Sequence, residues 1–345
     1  MIKFPSIEQF RHVIRGVSLR THYDGTDENG DPKYKPRGVP QPTIRFRGTV
    51  KLHGTNTAIV LSDEKITYQS RERELSIEDD NAGFMDYMTA RPEIVDALIY
   101  NTLTTLGYYV APETKLAIFG EWCGKGINGG KAAISSLDKL FVIFAVKLND
   151  VWVDIDRVKN VEFPEHRIFN SLRFPTWLID IDFNEPFIAQ DKLGKLTFEV
   201  EQECPVSKYF GIDNGVGEGI VWSPVDEQQW NSSQFWFKVK GEKHSATKVR
   251  TLAAVDVEAL KAVNDFVNAT CTESRLEQGL SNLINEQRKP FETTSLGDFI
   301  RWVYNDIVKE EADTIEASGF DVKKLGSPIS NKARQWFFAR LNSET

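Results

Sequence analysis

Residues 43–62 read TIRFRGTVKLHGTNTAIVLS, and the fold follows from how this stretch is parsed. Its opening, TIRFRGTV, alternates apolar and polar side chains as a half-buried strand does. Its close, TNTAIVLS, is a second strand-like run. Between them stands Lys51-Leu52-His53-Gly54, a lysine at a strand end followed by a turn. A KxxG pattern is common by chance, and taken alone such a lysine is most simply an exposed turn residue. Set between two strands, however, it can be aimed into a pocket between sheets. Desolvation and nearby cations would there lower its pKa, so that a neutral amine could attack phosphorus.

Working outward, TNTAIVLS and KITYQS are separated by Asp63 and Glu64 and predict a hairpin. Residues 1–23 predict a helix followed by a strand, and the Gly-, Pro-, Asp- and Asn-dense stretch 24–42 a loop or flap. KLAIFGEWCG, KLFVIFAVKL, VWVDIDRV, GEGIVWSP and QFWFKVKG are further strands, giving a sheet-rich region to about residue 245. Beyond it the period changes to that of helices. Leu296, Phe299, Ile300, Val303 and Ile307 form one stripe, Leu276, Leu280, Leu283 and Ile284 another, and Ala333, Trp336, Phe337 and Leu341 a third. Ser295 and Asp298 predict a capping box, and Lys309, Glu310, Glu311 and Asp313 a solvated helix face. The expected fold class is α+β: mixed and antiparallel sheets with flanking helices over residues 1–247, then a helical C-terminal domain over 248–345.

The 345 residues suit two domains, and no apolar run approaches the roughly 18 residues of a membrane span. The opening MIKFPSIEQFRHVIRG lacks a signal-peptide core, so a cytoplasmic protein is expected, and a monomer. Cys123, Cys204 and Cys271 are far apart, and His12, His22, His53, His166 and His244 are scattered, which predicts buried free thiols rather than a zinc site. A net charge of −8 argues against a nucleic-acid partner, but residues 237–250 carry Lys238, Lys240, Lys243, Lys248 and Arg250 against Glu242 alone. A basic groove on an acidic protein can still hold a phosphate backbone.

Six short motifs fall in one order: Lys51 to Asn56 (KLHGTN), Ser70-Arg71-Glu72-Arg73, Phe119-Gly120-Glu121-Trp122, Phe141-Val142-Ile143-Phe144, Glu218-Gly219-Ile220-Val221, and Lys238-Val239-Lys240. Each puts a charged or aromatic group at or near a strand end, and each alone has a plain structural explanation. Together they resemble the covalent nucleotidyltransferase superfamily of polynucleotide ligases and capping enzymes. KLHGTN followed by FGEWCGKGI is most similar to the RNA ligase 2 family of phages and their relatives.

That resemblance implies a nucleotidyltransferase (ligase adenylation) domain and an ATP-dependent RNA ligase joining 3′-hydroxyl and 5′-phosphate ends. It implies ATP and Mg²⁺ or Mn²⁺ as cofactors and RNA as partner. Lys51 would form the adenylate, Arg71 contact a phosphate or the sugar, Glu121 accept from ribose hydroxyls, and Phe144 stack on adenine. Glu218 would hold the metal, Lys238 and Lys240 neutralise the phosphates, and His53 and Asn56 assist nearby. Two positions depart from the pattern: Val50, where many relatives carry an acidic residue, and Ala145, where aspartate is common. DNA ligases and capping enzymes usually continue into an OB-fold barrel, and no series of short barrel strands follows residue 250. A DNA ligase, a capping guanylyltransferase and a non-catalytic RNA-binding module are the alternatives.

Overall fold

The two strands flanking Lys51 belong to different sheets, so the turn Leu52-His53-Gly54 carries the chain from one sheet to the other. This comes from a computed structural model, which describes residues 1–36, 38–128, 132–225, 229–245 and 263–344. The chain divides into two compact units, Met1–Gly241 and Glu242–Thr345.

The first unit opens with helix α1 (Phe10–His22) and a two-stranded hairpin, β1 (Tyr23–Thr26) and β2 (Pro32–Tyr34), where sequence predicted a loop or flap. The hairpin is short and mostly exposed, so no alternation announces it. Then come β3 (Thr43–Lys51), β4 (Thr55–Ser62), β5 (Lys65–Ser70), α2 (Phe84–Thr89), α3 (Pro92–Leu106) and β6 (Leu116–Cys123). After them run β7 (Leu140–Leu148), β8 (Val151–Val153), β9 (Ile168–Asn170) and β10 (Thr176–Asp182). Helices α4 (Ala189–Gln202) and α5 (Pro205–Tyr209) and strands β11 (Gly219–Pro224) and β12 (Phe237–Lys240) complete the unit.

One sheet has the order β10-β3-β11-β12; the larger one runs β5-β4-β6-β7-β8, with β9 beside β7. Pairing is antiparallel except for β7 with β9. Asp63 and Glu64 both take positive φ, as a tight two-residue hairpin turn requires. Along β6, Leu116, Ile118 and Trp122 point into a core with Phe84, Leu98, Phe141 and Ile143. Ala117 and Phe119 point to the opposite face, with Ala58, Val60, Ala145 and Trp236, so each β6 face is buried differently. Phe10, Phe46, Phe183 and Phe237 pack ring against ring on the far side of the smaller sheet.

In the second unit, α6 (Val263–Thr270), α7 (Glu273–Ser281), α8 (Leu296–Glu310), α9 (Ala312–Ala317) and α10 (Val322–Glu344) form an all-helical body. Phe299, Val303, Ile307, Ala333 and Phe337 are fully buried, as their spacing predicts. Ile284 is 41% exposed: a π-turn over Asn282–Glu286 adds a residue and rotates the stripe out of phase. Ser295 sits in the helical rather than the extended region and makes no side-chain cap bond, and Asp298 pairs with Lys289 and Arg301. Glu311 is not a solvated group either. It is fully buried and receives Arg275, itself 1% exposed, whose Nε meets Asp306 at 3.0 Å. Burial of that guanidinium demands both carboxylates, since an unpaired buried charge costs about 3–5 kcal/mol. The predicted boundary at residues 247 and 248, and with it Lys248 and Arg250, lies outside the described residues.

Candidate active site

Lys51 ends β3, and its Cα partner across the ladder is Gly219 on β11. Gly219 pairs in turn with Lys240 on β12. Three adjacent strands therefore bring Lys51, Glu218 and Lys240 to one spot by register alone. Lys51 Nζ meets Glu218 Oε2 at 2.9 Å, and Lys240 Nζ meets Oε1 of the same carboxylate at 3.0 Å. His53 Nδ1 stands further off, 3.7 Å from Oε2. Glu218 is 5% exposed, so this is a nearly dry carboxylate gripped by two ammonium groups.

The larger sheet supplies the opposite wall. Thr55 pairs with Trp122 and Asn56 with Glu121, where β4 leaves the turn after Lys51. Glu121 Oε accepts the Gly54 backbone N–H at 2.9 Å. A Cβ on Gly54 would lie 2.4 Å from the Trp122 carbonyl oxygen, so only glycine lets the turn approach β6 this closely. Asn128, at positive φ, donates to the Gly54 carbonyl, and Asn81 donates to Thr55 Oγ1 at 2.9 Å. Neither asparagine stood out in the sequence, although the Gly-rich GKGINGG around Asn128 marks a turn.

Phe144 is the extra residue of a β-bulge: Phe119 pairs with Ala145 and Gly120 with Ile143, leaving Phe144 between. The bulge brings Phe144 to the face shared by Phe119 and Ala145. Its ring meets Phe4 nearly edge-on at 5.2 Å. Arg71 follows β5, half exposed, and donates to Ser6 Oγ at 3.1 Å. Its charge reaches Lys51. Arg73, beside it in the motif, ties down a loop instead, donating to the Asp79 carbonyl at 2.7 Å. Lys238 shares its strand face with Lys240, the alternate Phe237 and Val239 being buried.

The protonation pattern corrects one expectation. Burial does depress Lys51, but Glu218 and Glu121 outweigh it and hold its pKa above the ordinary value. The depressed lysine is Lys240, lowered by burial and by the charges of Lys51 and Lys238 against the pull of Glu218. Glu218 resists burial through Lys51, Lys240 and His53 and stays well below the usual carboxylate range. Glu121, with weaker help from Lys51, is pushed by burial up to about 7.

The residues present suit a nucleotide and a dication. Asn56 Oδ1 is buried without a hydrogen-bond partner, an unmet acceptor beside Glu121. Among the described residues no group of three or more His, Cys, Asp or Glu forms a ready metal cage. Mg²⁺ needs none, since it is commonly held by one or two carboxylates plus substrate phosphates. Cys123, Cys204 and Cys271 are buried free thiols.

The RNA ligase family model matches residues 44–240, more than half of the chain, and the chain belongs to that family within the nucleotidyltransferase superfamily. Solved structures of the Naegleria gruberi RNA ligase are similar at low identity. A mutant with AMP and Mn is 16% identical at a TM-score of 0.44, and a mutant with ATP and Mn 17% identical at 0.43. A form with PPi is 16% identical at 0.43. In each case 70% of this chain and 56% of that one are covered, so the chain spans little more than half the length of those ligases. No curated protein matches.

Proposed function

We propose that this chain is an ATP-dependent RNA ligase that joins 3′-hydroxyl and 5′-phosphate ends through an adenylate carried on Lys51. The observation that carries the reading is Lys51 held against Glu218, with Lys240 on the other oxygen. The family membership and the ATP, AMP, Mn and PPi named for the Naegleria structures support it.

Phosphoryl and nucleotidyl transfer depends mostly on positioning and charge neutralisation. Lys51 Nζ attacks the α-phosphorus of ATP, forming an N–P bond while the bond to pyrophosphate breaks. Lys240 and Lys238 neutralise the α-phosphate and the departing pyrophosphate, and Arg71 gives a planar fork to a phosphate or the sugar. Glu121 accepts ribose hydroxyls, Phe144 stacks on adenine, and His53 and Asn56 assist near the lysine. Nζ must first lose a proton to solvent, which Glu218 and Glu121 oppose in the ligand-free site. Burial alone would lower Nζ, so the neutral amine would be favoured once Glu218 is engaged elsewhere. Glu218 would hold Mg²⁺ or Mn²⁺, which would supply Lewis-acid charge to phosphate oxygens. An RNA 5′-phosphate oxygen then attacks the adenylate phosphorus as the N–P bond breaks and frees Lys51. A 3′-hydroxyl attacks the RNA 5′-phosphorus, losing its proton to solvent and displacing AMP. The helical second unit positions the RNA. The site residues all lie within Met1–Gly241 of one chain, which supports a monomer; no described helix could cross a membrane, in keeping with a cytoplasmic enzyme.

Incubation with Mg²⁺ and α-labelled ATP or GTP tests this, with Lys51→Ala alongside. An acid-labile label from ATP, absent in Lys51→Ala, is the expected result. A label from GTP would move the assignment to a capping guanylyltransferase. Sealing of nicked DNA but not RNA would make it a DNA ligase. No label on folded protein that is not already adenylylated by mass would leave a non-catalytic RNA-binding module.

A further inference from the structure

The segment ahead of α1, Ile2–Gln9, runs past the site and touches three of its members. At its start, Ile2 is clamped by Gln69 of β5: the Ile2 N–H donates to Gln69 Oε1 at 3.0 Å, and the Ile2 carbonyl accepts from Gln69 Nε2. Gln69 is only 2% exposed, so the clamp is anchored in the larger sheet. Phe4 then inserts among four rings, with centroids 5.1 Å from Phe119, 5.2 Å from Phe144, 5.7 Å from Trp152 and 6.0 Å from Trp236. Ser6 Oγ accepts from Arg71 Nη2 at 3.1 Å. At its end Glu8 joins the edge of β12, its N–H donating to the Trp236 carbonyl at 3.1 Å and its carbonyl accepting from Lys238 N–H at 2.9 Å. The segment is thus tied to both sheets, and it contacts Phe144, Arg71 and Lys238 in turn.

We propose that Ile2–Gln9 is a positioning strap of the nucleotide site, in which Ser6 aims the Arg71 guanidinium and Phe4 sets the Phe144 ring. This rests on the reading of Arg71 and Phe144 given above. Arg71 needs such an aid. Its ion pair with Glu72 is long, 3.7 Å, and both groups are about half exposed, so water and salt leave it weak. A free arginine side chain must give up roughly 2 kcal/mol of rotamer freedom to grip a phosphate. A hydroxyl that already holds one Nη in place reduces that loss before the ligand arrives. Phe144 needs one too, because a bulged residue has lost its ladder partner and its ring direction depends on neighbours. The edge-on ring of Phe4 supplies that neighbour.

A merely structural role predicts something different for Ser6. Its contact with Arg71 is exposed, and exposed polar pairs contribute little to stability. Single-turnover adenylylation of the full chain, measured against ATP concentration, separates the two. Ser6→Ala should raise the half-saturating ATP concentration roughly three- to tenfold, the scale of one ordinary, solvent-exposed hydrogen bond. The maximal rate and the melting temperature should stay near wild type, and Ser6→Thr, which keeps the hydroxyl, should restore ATP affinity. Phe4→Leu should move the half-saturating concentration in the same direction. If Phe4→Leu fails to fold, the Ser6 pair still decides. Wild-type saturation by folded Ser6→Ala, in protein that takes up label normally, overturns the strap and leaves the ligase reading intact. Absence of label in the wild type itself overturns both.

Discussion

Glu218 and Glu121 sit within one pocket yet titrate apart, because two lysines grip the first and neither grips the second so closely. Glu218 stays ionised below the ordinary range, so it adds stability above its unfolded value, and this is lost as pH falls. Glu121 has the opposite sign. Its folded pKa of about 7 exceeds the ordinary 4.5, so between those values the folded chain binds more protons than the unfolded one. Its ionisation therefore removes stability as pH rises through that window. Glu121→Gln keeps an acceptor for Gly54 N–H without the charge. It should melt higher than wild type at pH 8, by at most about 3 kcal/mol from the shift, with the gap closing toward pH 4.5. Equal melting differences at both pH values would refute the assignment. The members of this pocket were legible as residues, because motif order picks out Lys51, Glu121 and Glu218. The direction of the Lys51 shift was not, since it depends on a carboxylate far away in the chain whose closeness only strand register fixes.

TIRFRGTV alternates over a half-buried face and reads plainly as a strand, and the tight turn at Asp63 and Glu64 is equally plain, whereas β10, TWLIDID, alternates too and is not among the strands expected from sequence. Elements without a buried stripe give no such sign: β1 and β2 are mostly exposed, and the π-turn after α7 leaves no compositional mark. The bulge that frees Phe144 was invisible for the same reason, being a matter of pairing between β6 and β7. Glycines within elements separate cleanly by what surrounds them. Gly219, at the start of β11, has φ of +148°, and a Cβ there would lie 2.1 Å from the Val239 carbonyl oxygen. Gly219→Ala should cost about 2–5 kcal/mol by overpacking and backbone strain. In urea, its unfolding midpoint should fall with little change in slope. Gly297 in α8 has open space around it, so Gly297→Ala should be neutral or stabilising by up to about 1 kcal/mol. Equal midpoints for the two variants would remove the steric account of Gly219.

At the scale of the molecule, the family match ends at residue 240 and the first compact unit at Gly241, and every candidate site residue lies within both. A fragment of residues 1–245 should therefore fold and take label from ATP within a few-fold of the full chain, while sealing RNA far more slowly. Loss of labelling in a folded fragment would mean that the second unit contributes to the adenylylation step. The change of period near residue 250 predicts a second domain; the compact units divide earlier, between Gly241 and Glu242, where the sequence carries no pattern of its own. The three thiols are distributed across this division: Cys123 and Cys204 in the first unit, Cys271 in the second, none more than 2% exposed. Burial holds Cys123 well above the ordinary thiol value and Cys271 at about 11, so neither offers thiolate to a reagent while its surroundings stay closed. The chain thus carries its own clocks. The order in which the sulfurs become alkylated records which half of the molecule opens first, without a single residue being changed.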